Sequence, residues 1–175
     1  MQGLDKSGKV VYIGTFSKSL SSSLRISYMV LPEHLLDLYN NHYAKAFSTV
    51  PLMIQVILEK FMSEGHWERH FRRIRTINRK KYKLMKSLLI ENLGNTMKIE
   101  TEAAGLSIVI NPTVNINIEK LKELAKEEKM KLYFTKDTCG GDEDTIRMGF
   151  VIFTENEMKT AVEVFSTIWY KSINK

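Results

Sequence analysis

The residues around Lys18 are the segment of this chain whose types and spacing indicate a chemistry. A run of β-branched and aromatic residues ends at Gly14, Thr15 and Ser17 precede the lysine, and Arg25 follows it. This arrangement suits a lysine held at the end of a strand beside a phosphate group. In that position its amine can form a Schiff base with an aldehyde.

A lysine amine is a nucleophile only when it is neutral, so a Schiff-base lysine needs a site that favours that form. Pyridoxal phosphate supplies an aldehyde together with a dianionic phosphate, and hydroxyls and a guanidinium suit that phosphate. From spacing alone, an ordinary serine-rich surface loop explains the segment equally well.

Composition places the chain among globular proteins and excludes several classes. It has 175 residues, of which 43% are hydrophobic and 26% charged, enough for one domain with a core. No apolar stretch is long enough to cross a bilayer, no secretory signal is evident, and the single cysteine, Cys139, excludes a disulfide framework. We therefore expect a cytoplasmic protein that does not enter membranes.

The net charge of +6 does not by itself indicate nucleic-acid binding. Nine of the 26 lysines and arginines fall between Arg69 and Lys86, on a predicted helix. A basic helix face is typically solvated, so we expect no direct nucleic-acid contact by this chain.

Hydrophobic periodicity predicts two short strands, at 9–13 and 25–31, joined by a serine-rich loop that begins at Lys18. Helices are predicted from Pro32, from residue 52 (apolar on most sides and hence buried) and over 66–92, with Gly94 ending the last. Beyond it the pattern reads strand, strand, helix, strand, strand, helix. The predicted elements of that part are strands at 97–100, 106–111, 131–134 and 145–150 and helices at 118–129 and 154–170, capped by Asn117 and by Thr154 with Glu157.

Several segments together resemble one family. The chain contains GTFSK at 14–18, LRI at 24–26, YMVLP at 28–32, GHWERHFRRIR at 65–75, AGL at 104–106 and IRMGF at 146–150. In this order they resemble the cofactor-lysine segment and C-terminal part of fold type I aminotransferases. The residues of these segments are similar to those in the aminotransferase-like domain of MocR-type transcriptional regulators of the GntR family.

The resemblance implies a role for each matching residue. Lys18 would be the Schiff-base lysine of pyridoxal 5′-phosphate and, in an enzyme, the base that moves a proton between substrate Cα and cofactor C4′. Thr15, Ser17 and Arg25 would bind the phosphate. Arg147 would take the carboxylate of an amino-acid ligand by a bidentate pair.

Some features depart from the family pattern or leave alternatives open. The family usually has proline at the place of Ser22 and glycine at the place of Ser27, which puts cofactor affinity in doubt. Without the resemblance, Arg147 reads more simply as a strand arginine paired with Glu143 or Asp144.

The resemblance also implies an architecture. The fold class we expect is α/β, the C-terminal portion of the type I pyridoxal-phosphate transferase fold. Residues 1–65 would be a remnant of the large cofactor-binding domain, 66–95 a long bridging helix, and 96–175 an α+β subdomain. Family members pair an Asp with the pyridinium nitrogen and stack a ring on the cofactor, both well upstream of the lysine. We therefore expect the C-terminal part of a longer protein, which alone binds the cofactor weakly or not at all.

Three functional classes follow from this interpretation. The first is the effector-sensing domain of a regulator, a homodimer that responds to an amino acid or a vitamin-B6-type molecule and reaches DNA only through an N-terminal domain absent here. The second is part of a free-standing aminotransferase acting on a 2-amino acid, so catalytic activity is left open. The third is a dimerisation or folding module.

Two other candidate sites are weaker. His66 and His70 lie one helical turn apart, but no third ligand is evident, so we interpret them as surface histidines and expect no metal. Cys139, beside two glycines, has no base at nucleophile spacing and is interpreted as an ordinary loop residue.

Overall fold

A computed structural model describes residues 2–43, 46, 48–100, 106–134 and 145–174. The chain forms two compact units, which we call the N-terminal unit (Met1–Ile74) and the C-terminal unit (Arg75–Lys175). The division falls inside one continuous helix, α4, which runs from His66 to Leu93.

The N-terminal unit begins with a two-stranded antiparallel sheet. Strands β1 (Tyr12–Thr15) and β2 (Ser27–Val30) pair with Thr15 opposite Ser27. The first strand starts later than predicted, because the carboxylate of Asp5 accepts the backbone N–H of Val10 at 2.7 Å and holds the preceding residues in a turn.

The sequence predicts a loop at Lys18, but this residue lies in a one-turn helix, α1 (Phe16–Ser19). The side chain of Thr15 caps this turn by accepting the N–H of Ser17. A hydroxyl directly before the turn supplies the partner that the first free N–H groups of a helix require.

Two further helices precede α4 in this unit. They are α2 (Leu36–Tyr43), which follows a short 3-10 turn (Glu33–Leu35), and α3 (Leu52–Ser63). The prediction that α3 is buried is wrong, since Leu58 is its one buried residue. Leu58 packs with Phe16 and Ile26, and this small cluster covers one face of the helix. The opposite face stays exposed at Leu52 (74%), Met53 (73%), Val56 (50%) and Ile57 (54%).

Helix α4 matches its prediction to within a residue and ends, as expected, at Gly94. This glycine adopts a positive φ of 54°, a conformation that residues with a Cβ rarely take. Within the C-terminal unit the helix buries four side chains at spacings of three and four: Tyr82, Met85, Leu89 and Leu93.

The rest of the C-terminal unit confirms the predicted strand, strand, helix, strand, strand, helix order among the described residues. Its elements are β3 (Met97–Ile99), β4 (Ser107–Pro112), α5 (Ile118–Glu127), β5 (Tyr133–Phe134), β6 (Ile146–Gly149) and α6 (Glu155–Ser172). The strands form one antiparallel sheet in the order β3-β4-β6-β5.

Helices and sheet of this unit enclose one apolar core, in which Leu89, Ile108, Phe165 and Trp169 are fully buried. The indole N–H of Trp169 donates to the hydroxyl of Thr96 at 2.9 Å, so its polar edge is satisfied.

The predicted caps of this unit are also present. The side chain of Asn117 accepts the N–H of Lys120 at the start of α5. Thr154 and Glu157 form a reciprocal capping box at the start of α6.

The turn predicted at 103–105 and the polar loop at 139–142, with Cys139, lie outside the described residues. Among the helices that the structure describes, none combines the length and the apolarity needed to cross a bilayer.

Candidate cofactor site

The turn that carries Lys18 is tied to both strands of the N-terminal unit. Thr15 donates its hydroxyl proton to the carbonyl of Ile26 at 3.1 Å, and the N–H of Phe16 donates to the same carbonyl at 3.0 Å. These bonds fix the start of α1 against the residue that follows Arg25. The structure therefore brings the predicted residues Thr15, Ser17, Lys18 and Arg25 into one short region.

The orientation of α1 follows from the burial of Phe16. This ring is 8% exposed, and its centroid lies 5.1 Å from that of Tyr28 and 5.3 Å from that of Trp67, the latter edge-on. Because Phe16 faces the core, Lys18 lies on the exposed side of the same turn.

Gly14 is required by a close approach within the hairpin. A Cβ at this position would lie 2.3 Å from Cζ of Tyr28, far inside contact distance. The Tyr28 ring is held over the glycine by Phe16 and by Tyr12, whose hydrogen bond raises the pKa of Tyr28 above its usual value. The glycine of GTFSK thus admits the aromatic ring that supports Phe16.

Arg25 adopts a left-handed backbone conformation, with φ of 51°. The segment before it closes a turn in which the N–H of Leu24 donates to the carbonyl of Ser21. A residue with a Cβ loses roughly 1–2 kcal/mol in this conformation. Arg25 carries this cost at the point where the chain enters β2, and its side chain is exposed.

The polar groups of this region divide into engaged and available donors. The hydroxyl of Thr15 is engaged, since it donates to Ile26 and accepts from Ser17. In the described part of the chain, the Ser17 hydroxyl forms no hydrogen bond, and Lys18 and Arg25 form no ion pair. A hydroxyl, an amine and a guanidinium that have no acceptor among the described residues are a donor set that fits a phosphate and an adjacent aldehyde.

Arg147 belongs to the other unit. It lies on β6 opposite Val109 and Tyr133, with its side chain exposed. Together with apolar residues that include Phe153, it lines a groove of about 870 Å³. No described acid pairs with it, and the alternative partners Glu143 and Asp144 lie outside the described residues.

The two histidines of α4 have different surroundings. His66 is exposed and pairs with Glu64 at 3.2 Å, as expected of a surface residue. His70 is not a surface histidine, because it is half-buried and its Nε2 lies 3.0 Å from the carbonyl oxygen of Ser19. No group of three metal-ligating side chains occurs among the residues that the structure describes.

Sequence reasoning therefore missed the contact between His70 and the lysine turn. The two segments are far apart along the chain, so their spacing carries no signal. The available clue was the helical face shared by Trp67, His70 and Phe71, which predicts that His70 points the same way as two aromatic rings.

Comparison with solved structures identifies the fold. The kynurenine aminotransferase of Pyrococcus horikoshii, solved in complex with PMP, aligns with a TM-score of 0.84 at 21% identity. The alignment covers 97% of this chain and 43% of the aminotransferase. The chain thus has the C-terminal portion of the pyridoxal-phosphate-dependent aminotransferase fold of type I, as expected.

Sequence comparison identifies the relatives, although no family model matches the chain. The uncharacterized HTH-type transcriptional regulator YdeL of Bacillus subtilis is 32% identical over 97% of this chain and 37% of its own length. The probable rhizopine catabolism regulatory protein MocR of Rhizobium meliloti is 36% identical over 72% of this chain and 26% of its own length.

The chain is accordingly a homologue of HTH-type regulators that include MocR, and its fold matches the C-terminal portion of the aminotransferase fold. It spans little more than a third of YdeL and about a quarter of MocR.

Proposed function

We propose that this chain is the C-terminal part of the effector-sensing domain of a MocR-type regulator, with Lys18 as the cofactor lysine. The observation that carries the proposal is the setting of Lys18. It is exposed on a turn fixed at the end of β1, and no described group competes for its amine. We call the longer protein of which this chain would be a part the complete protein.

When bound, pyridoxal phosphate would supply an electrophilic aldehyde carbon and an electron-withdrawing ring. Lys18 would hold the cofactor at that carbon through its neutral amine. Lys18 is the lysine of the N-terminal unit that directly follows the capped strand end, which is why we assign it this role rather than Lys6 or Lys9.

Arg25 and Ser17 would hold the phosphate. The guanidinium offers a charged, forked pair of donors and would contribute most, and the Ser17 hydroxyl would add one further donor. Thr15 would contact the phosphate only by releasing the carbonyl of Ile26, so its main effect would be to hold the turn through its cap.

Arg147 would bind the carboxylate of an amino-acid effector. Its guanidinium is exposed on a strand and free of described acidic partners, which suits a bidentate pair with a planar carboxylate. If the complete protein catalyses transamination, Lys18 would also carry the proton between Cα of the amino acid and C4′ of the cofactor.

In this proposal residues 1–65 are a remnant of the large cofactor-binding domain, residues 66–95 are a long bridging helix, and residues 96–175 form the smaller α+β subdomain. The complete protein is a cytoplasmic homodimer that contacts DNA through a separate N-terminal domain. The similarity to regulators favours this function over that of a free-standing aminotransferase. The aminotransferase is the second candidate, because the chain shares its fold.

A cofactor titration tests the role of Lys18. The complete protein is expected to develop the visible absorbance of the lysine–cofactor adduct, and Lys18→Ala is expected to lose it. Arg25→Ala is expected to weaken binding by about tenfold or more, because a charged hydrogen bond is lost. Adduct absorbance that survives in Lys18→Ala would refute the assignment. A tight adduct in the isolated chain would refute the expectation that the chain binds weakly by itself.

A second experiment separates the regulator from the enzyme. The complete protein, loaded with pyridoxal phosphate, is mixed with a panel of amino acids while DNA binding and conversion of the cofactor to its amine form are both followed. A regulator is expected to change its DNA affinity with an amino acid or a vitamin-B6 species. Rapid conversion to the amine form without any DNA binding would instead support the aminotransferase.

A further inference from the structure

The end of the Lys18 turn is held by a contact from another helix. The N–H groups of Leu20 and Ser21 both donate to the carbonyl of Phe16, which closes the turn. The carbonyl of Ser19, the last residue of α1, accepts a hydrogen bond from Nε2 of His70, at 3.0 Å. Because a carbonyl oxygen only accepts, Nε2 of His70 must carry the proton in this contact.

His70 itself packs against an aromatic ring of α3. It is half-buried, and the ring of Phe61 lies edge-on to it at a centroid distance of 6.3 Å. One turn earlier on α4, Trp67 packs its ring against Phe16. The first two turns of α4 therefore fix both ends of α1, with Trp67 at Phe16 and His70 at Ser19.

Lys18 lies between these two fixed points. A one-turn helix has little stability of its own, since helices this short gain too few hydrogen bonds to offset the order they require. The direction of the Lys18 side chain therefore depends on what holds the ends of the turn. Thr15 supplies the N-terminal cap, and His70 supplies the contact at the C-terminal end.

We propose that His70 is a positioning residue for Lys18, which orients the lysine turn through the carbonyl of Ser19 and so aids attachment of the cofactor. This inference rests on the proposed function of Lys18. It gives His70 no contact with the cofactor and no proton transfer. Its effect comes from the N–H at the Nε2 position.

The test compares variants of His70 in the complete protein. Each protein is mixed with a limiting amount of pyridoxal phosphate and reduced with borohydride, which adds hydride to the C=N bond and fixes the cofactor. Peptide mass mapping then gives the ratio of label on Lys18 to label on Lys171, an exposed lysine of the C-terminal unit. This internal ratio does not depend on protein concentration.

His70→Ala is expected to lower the ratio about 3- to 10-fold, the range that corresponds to loss of one ordinary hydrogen bond. His70→Gln is expected to restore most of it, because the glutamine Nε2 can reach the place of the histidine Nε2. His70→Asn, which is one carbon shorter, is expected to stay low. His66→Ala is the matched control on the same helix, since His66 pairs with Glu64 and not with the lysine turn.

The outcomes separate the two proposals. Equal labelling of Lys18 and Lys171 in the wild type would overturn both the role of Lys18 and this inference. Selective labelling that His70→Ala leaves unchanged would overturn the role of His70 alone. Should His70→Ala fail to fold, the comparison of the glutamine and asparagine variants decides, and equal ratios in these two would also overturn it.

Discussion

The two units of the chain differ in how much of their apolar surface they bury. In the C-terminal unit, seventeen described side chains form one buried cluster, several of them fully buried. Among the described residues of the N-terminal unit the buried cluster has three members, Phe16, Ile26 and Leu58, and much of α3 is exposed. The residues with the clearest chemistry, around Lys18, lie in the unit with the smaller core.

This difference indicates how the Lys18 region is held. Apolar burial contributes roughly 25 cal/mol per Å² and dominates the stability of a domain. The C-terminal unit therefore gains more stability from burial than the N-terminal unit does. The lysine turn relies instead on a few directed contacts, namely the Thr15 cap, the Phe16 ring cluster and His70. Changes at these contacts should affect Lys18 more than its exposed position suggests.

The largest expected effect compares one substitution made in each core. Leu89→Ala, at a fully buried position of the C-terminal unit, is expected to cost about 3–5 kcal/mol of unfolding free energy. Leu58→Ala, in the smaller cluster, is expected to cost about 2 kcal/mol, because its open surroundings leave less of a cavity. Urea unfolding of the chain measures both, and Ile152→Ala, at a residue 85% exposed, is the control. A larger loss in Leu58→Ala would contradict the comparison.

The next effect concerns the hairpin that supports α1. Gly14→Ala is expected to destabilise the N-terminal unit by about 1–3 kcal/mol, because the new methyl group collides with the Tyr28 ring. Gly3→Ala, which meets nothing within 4 Å, should have little effect. Fluorescence-detected unfolding compares the two. In a Tyr28→Ala background the cost of Gly14→Ala should nearly vanish, and a cost that persists there would exclude the ring as its cause.

Elements with local causes were predictable from the sequence. The capping box of α6, the Asn117 cap and the end of α4 at Gly94 each depend on a few adjacent residues, and all were correctly predicted. The helical turn at Lys18 was missed although its Thr15 cap is local, because the turn has only four residues and the serine-rich sequence after it also suits a loop.

Burial and the support of the site were not predictable, because both depend on partners remote in sequence. Helix α3 has an apolar composition that indicates burial, yet the described residues cover one of its faces. From the sequence, His66 and His70 were interpreted as a pair of surface histidines, whereas in the fold His70 contacts the carbonyl of Ser19. The Lys18 motif itself was recognisable, whereas the residue that holds its turn was not.

Two left-handed residues give a matched test of strain, since Arg25 and Lys129 have φ values of 51° and 55° in the two units. Glycine at either position should raise stability by about 1 kcal/mol, because it removes the Cβ that makes this conformation unfavourable. Only Arg25→Gly should also reduce cofactor labelling of the complete protein. A gain in stability with no loss of labelling would show that Arg25 does not hold the phosphate.

The smallest effect is a pH dependence confined to the C-terminal unit. The backbone N–H of Thr154 and its hydroxyl both donate to the carboxylate of Glu157 and hold the pKa of that carboxyl below its ordinary value of 4.5. Since the folded pKa is the lower one, this stabilisation is present above about pH 4.5 and is lost as the pH falls through the folded pKa.

Thermal unfolding at neutral and acidic pH measures this effect. Glu157→Gln should lose less stability on acidification than the wild type, whereas Glu163→Gln, in the middle of the same helix, should behave as the wild type does. An unchanged acid response in Glu157→Gln would mean that the capping box does not contribute.

The central claim is that Lys18 is the residue that takes the cofactor. The most direct measurement is peptide mapping of the complete protein after saturation with pyridoxal phosphate and borohydride reduction. One dominant modified site is expected at Lys18, and Lys18→Arg is expected to remove it without transferring the label to another lysine. Label spread across the exposed lysines, or concentrated on any lysine other than Lys18, would contradict it.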